Sequence, residues 1–95
     1  MLNEKIFDEV KRLLLNIIYA EGMMKKYVND YMETGNKESY DDWKRFSSYA
    51  VGQADKVLGI FYAVEAIEGT VLRYFLNDKR MVLYADEKEI WSKAV

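Results

Sequence analysis

Twenty-six residues near the start of the chain, 6–31, repeat apolar side chains at alternating spacings of four and three. Ile6, Val10, Leu13, Ile17, Ala20, Met24, Tyr27 and Tyr31 keep one face of a helix apolar over this whole stretch. The pattern predicts a helix from about residue 3 to residue 33, with Gly35 placed where a left-handed C-terminal residue is wanted. Gly22 inside it costs roughly 1 kcal/mol relative to alanine, so a packing reason is expected there.

A second stripe follows the polar connection Thr34–Glu38: Trp43, Phe46, Ala50, Ala54, Val57, Phe61, Val64 and Val71, with Glu68 as its misfit. Ser39 reads as the N-cap of this helix, with Asp42 three residues on. A connection this short forces the helices antiparallel. The chain contains no proline, so nothing in it forbids either helix from continuing.

Residues 69–95 read less cleanly. As helix, Val71, Leu72, Phe75 and Leu76 extend the stripe past Gly69, and heptad continuity favours that reading to about residue 76. Asp86 followed by Glu89 then starts a short terminal helix through Ile90, Trp91 and Ala94. The alternative is a β-hairpin over 70–84, which the β-branched and aromatic content supports. In that form Leu76 opposes Met81, Tyr74 opposes Leu83 and Leu72 opposes Ala85 around the loop Asn77–Arg80. The expected fold is therefore all-α: a single domain over 1–95, built on an antiparallel helical hairpin (3–33 and 39–76) with a short C-terminal helix.

The surplus of apolar side chains decides what else this architecture needs. Leu2, Phe7, Leu14, Leu15, Ile18 and Met23 lie beside the first stripe. Two helices cover only one face of each other, so a third element or another chain must cover the rest. Dimerisation into a bundle is one solution. Gly52, Gly59, Ala63 and Ala66, small residues off the main stripe of the second helix, are the expected oligomer interface.

Composition removes most chemistry. The chain has no histidine and no cysteine, hence no imidazole base, no thiolate and no ordinary zinc site. Glu21, Glu65 and Glu68 resemble a di-iron carboxylate set only without its histidines. The five glycines form no phosphate loop. No enzyme activity, metal or cofactor is expected. Net charge is −2, and the four dibasic pairs each sit near acidic residues, which argues against nucleic acid. The longest uncharged apolar runs, 13–20 and 57–64, fall short of the roughly 20 residues that span a bilayer. No membrane association and a cytoplasmic location are expected.

What remains is binding. Tyrosine, tryptophan and arginine are the residue types enriched at interface hot spots. Tyr40, Trp43 and Arg45 at the start of the second helix, and Arg73, Tyr74, Arg80 and Tyr84 in the ambiguous segment, are the candidate partner-binding residues. The expected function is a non-catalytic protein–protein interaction module, a small accessory or inhibitor protein acting through a helical aromatic surface and associating with itself. The alternative is an oligomer that sequesters an anionic, nucleotide-like ligand around Arg73, Lys79 or Arg80.

Overall fold

The structure, a computed structural model, describes residues 2–95. Helix α1 spans Glu4–Thr34 and helix α2 spans Lys37–Glu68. Strands β1 (Leu72–Leu76), β2 (Arg80–Ala85) and β3 (Lys88–Ala94) form one antiparallel sheet in the order β1-β2-β3. At about 1.5 Å per residue the helices account for the 49 Å long axis of the molecule.

The helical hairpin forms for the reasons its sequence gives. Asn3 caps α1, its side chain accepting from the Lys5 amide at 2.8 Å. Gly35 closes α1 in the left-handed region at φ 67, its amide donating to the Tyr31 carbonyl at 2.7 Å. The cap of α2 is Asn36, not Ser39: Asn36 Oδ1 accepts from the Glu38 amide at 2.9 Å. Ser39 instead lies buried within the first turn and donates its hydroxyl to the Asp30 carboxylate, tying α2 back to α1. Farther along, Asn16 Nδ2 donates to Gln53 Oε1 at 2.9 Å across the helix interface. A polar pair in an apolar seam is satisfied in only one register.

Helix α2 does not reach Leu76. Gly69 stops it at φ 73, donating to the Glu65 carbonyl at 2.9 Å. A left-handed residue turns the chain out of the helical path, and this outweighs the heptad continuity of Val71. The expected all-α class therefore holds only for the first two-thirds. The hairpin register over 70–84 is the one the alternative reading gave: Leu72 opposes Ala85, Tyr74 opposes Leu83 and Leu76 opposes Met81. Asn77 fixes the loop, its Oδ1 accepting from the amides of Lys79 and Arg80 at 2.8 and 2.9 Å.

The short C-terminal helix is absent. Asp86 and Glu87 both take positive φ (49 and 70), making the tight two-residue turn that reverses β2 into β3. Asp86 is held there by two hydrogen bonds with Val71: its amide donates to the Val71 carbonyl at 2.9 Å, and its carboxylate accepts from the Val71 amide at 3.0 Å. The β2–β3 ladder shifts register where Leu83 opposes Trp91 but Tyr84 opposes Glu89. Ile90 is the extra residue of this bulge, which lets Ile90 and Trp91 in succession pack against the core.

The sheet is what covers the surplus helical face. Leu72, Met81 and Leu83 join Val10, Leu13, Leu14, Ile17, Val57, Phe61 and Val64 in one buried cluster. Its cover ends where the β1–β2 loop meets α1, at the Lys25–Asp78 ion pair (3.4 Å). Gly22 has no packing reason: the space around its α-carbon is open. Gly69→Ala is expected to lower the unfolding free energy by about 1–2 kcal/mol, because alanine resists the left-handed cap. Gly22→Ala is expected to raise it by about 0.5–1 kcal/mol. Urea titrations of the two variants check both signs.

Candidate functional site

The row Leu14, Ile18, Glu21, Lys25, Val28, Met32 runs along α1 at spacings of three and four, on the side that meets the sheet. Leu14 is buried and Ile18 packs against the core. Glu21 and Lys25 line the crevice beside Leu76 and the β1–β2 loop. Past Lys25 the sheet has ended, so Val28 and Met32 face solvent, Met32 at 78% exposure. Tyr31, Tyr40 and Trp43 close round them, and together these five residues line a groove at the tip of the hairpin. No charged side chain lines it. Its aromatic wall is a run of neighbouring tilted rings, with centroids of Tyr31 and Tyr40 at 5.5 Å and of Tyr40 and Trp43 at 5.9 Å. Lys44 Nζ lies 5.7 Å from the Tyr40 ring centroid.

Of the candidate partner-binding residues, Tyr40 and Trp43 thus come together. Arg45 does not join them. It is paired with Asp42 at 2.9 Å and lies over Phe46 at 5.6 Å. Lys11 with Asp8 (3.2 Å) and Arg12 with Glu9 (2.5 Å) are likewise paired within a helical turn.

The four candidates in the sheet divide by strand alternation. Arg73 opposes Tyr84 across the β1–β2 ladder on the outer face, where Arg80 also lies. Arg80 pairs with Glu89 at 2.7 Å. That bridge joins opposite ends of the outer face and passes Val82 between them, and Val82 is only 2% exposed. Arg73 shares a crevice with Asp86 and Glu87. Tyr74 points the other way, onto Phe61 with ring centroids 6.2 Å apart. Burial pushes its phenol above the ordinary value of 10, and the Glu21 carboxylate acts in the same direction.

Gly52, Gly59, Ala63 and Ala66 are all exposed on α2. Nothing approaches the side-chain positions of Gly52 and Gly59. Ala63 borders a shallow apolar groove with Ile6, Ile60 and Ile67 near the opposite end of the hairpin. Among the described residues no three acidic side chains gather to hold a metal ion. No described helix is long and apolar enough to cross a membrane.

Val28 and Met32 escaped the sequence reading as site residues. The signal was present in the helical row they complete, but it becomes visible only once the sheet is known to stop at Lys25. No protein-family model, curated protein or solved structure matches this chain.

Tyr74 gives a pH dependence whose sign follows from its raised value. Its contribution to stability is complete below the unfolded value near pH 10 and is lost as pH rises through the higher folded value, because only the unfolded phenol ionises readily there. Tyr74→Phe is therefore expected to flatten the alkaline fall in stability, measured by urea unfolding on either side of pH 10. An unchanged slope counts against the assignment.

Proposed function

We propose that the protein is a non-catalytic interaction module that receives another protein in the groove at the tip of its helical hairpin. One observation carries this reading: the helical face that the sheet buries near one end is interrupted by Glu21 and Lys25 and then turns apolar again, in an uncovered groove lined by Val28, Tyr31, Met32, Tyr40 and Trp43. Tyrosine and tryptophan supply large contact area with little conformational entropy to lose, and methionine adapts to the shape of what enters. A helix or an extended segment with two or three apolar anchors is the kind of ligand such a groove accepts.

The residues available for chemistry support the same conclusion. With no histidine and no cysteine, the chain has neither an imidazole base nor a thiolate nucleophile. The anionic-ligand reading draws less support, because Arg80 is committed to Glu89 and Arg73 neighbours two carboxylates. An accessory or inhibitor protein, acting by occupying a surface of its target, is the mode of action that fits a rigid aromatic tip.

A photo-crosslinking residue placed at Met32 in the source cell tests this. A partner is expected to be captured from position 32 and not from Lys56, on a different face of α2. Trp43→Ala in the same protein is expected to weaken capture by tenfold or more, the range of a buried aromatic hot spot. Equal capture from both positions, or none from the tip, overturns the proposal.

A further inference from the structure

Helix α2 carries a second seam, independent of the one that packs on α1 and of the tip groove. Lys44, Val51, Leu58 and Glu65 recur at strict heptad spacing. The residues of α2 that face the core are others: Ala50, Gln53, Val57, Phe61 and Val64. Val51 is 58% exposed and Leu58 40%, and Tyr62, one turn beyond Leu58, is 68% exposed. Phe75, 56% exposed on the outer face of β1, shares a crevice with Val51, so the apolar patch spans helix and strand. Scattered exposed hydrophobics need no explanation, but an aligned stripe continued by an aromatic from a second element does.

The charges at the two ends of the seam say what covers it. Lys44, Val51, Leu58 and Glu65 read basic, apolar, apolar, acidic. Laid antiparallel on its own copy, with Val51 opposite Leu58, this string sets Lys44 opposite Glu65 at both ends. A parallel arrangement would instead stack Lys44 on Lys44 and Glu65 on Glu65. Neither residue has an ion-pair partner among the described residues of its own chain. We infer that α2 pairs with α2 of a second copy, antiparallel about a two-fold axis between Ala54 and Asp55. The paired length, Lys44 to Glu65, is about 32 Å. A two-fold contact is closed, so each residue meets its partner reciprocally and association stops at two. Asp55 falls beside the axis next to its own copy, the one unfavourable meeting in the register.

Sedimentation equilibrium of the full chain over a wide concentration range tests the inference. The wild type is expected to be a reversible dimer, and Leu58→Glu a monomer with an unaltered circular dichroism spectrum. Lys44→Glu is expected to weaken the dimer by about tenfold, two ion pairs becoming two repulsions. The double variant Lys44→Glu, Glu65→Lys is expected to restore it. Asp55→Asn is expected to tighten it, and the tip variant Met32→Glu to leave it unchanged, which separates this surface from the groove. A monomeric wild type, or a double variant no tighter than Lys44→Glu alone, overturns the inference.

Discussion

The press of one sheet face onto the helical hairpin is the contact on which the rest of the molecule depends. Leu72, Met81 and Leu83 close over Val10, Leu13, Leu14 and Ile17, which α2 alone leaves partly open. Each fully buried side chain of this size contributes about 1.5–3 kcal/mol gross. Three of them amount to a sum on the order of the whole net stability of a small domain. With no cysteine, and so no disulfide to brace it, the hairpin relies on this cover. Where the sheet stops, the chain's own means of burying its apolar face stop too, and the exposed groove begins.

Polar side chains then choose one arrangement among the many that apolar burial would tolerate. Asn16 meets Gln53 in the middle of the helix seam and Ser39 meets Asp30 near its tip. Leucine could slide past leucine by a turn at modest cost, but a slipped amide or hydroxyl is left buried without a partner, a loss of about 1–3 kcal/mol. These two pairs fix the register that places Tyr40 and Trp43 opposite Tyr31 and Met32. The aromatic groove is in that sense a product of one bond beside it and another farther along the seam.

The helical hairpin was legible because its signal is periodic and long, and because Gly35 marks the turn. The C-terminal third was not, for local reasons. Heptad spacing continues through Val71, so the stop at Gly69 competes with a pattern that runs past it. The Asp86–Glu87 turn lacks the Asn-Gly or Asp-Gly pair that announces such a reversal, and its acidic residues look like a helix start instead. Lys88–Ala94 contains more helix formers (Lys88, Glu89, Lys93, Ala94) than strand formers (Ile90, Trp91), and only pairing with β2 decides it. Of the residues lining the tip groove, the aromatic pair Tyr40 and Trp43 stood out by type. Tyr74 had the same composition signal yet turns inward, since which face a strand residue takes is set by register and not by identity.

The chain order also sets a schedule. Helices α1 and α2 are complete before any of the covering strands has been made, and the strands occupy the last 27 residues, 69–95. At about 5–20 residues per second of synthesis, the nascent hairpin waits roughly one to five seconds with Leu13, Leu14, Val57 and Phe61 short of their third layer. For that interval the surface later shut under β2 is open to whatever else is nearby, and a helper that shields apolar helices would act on this protein then.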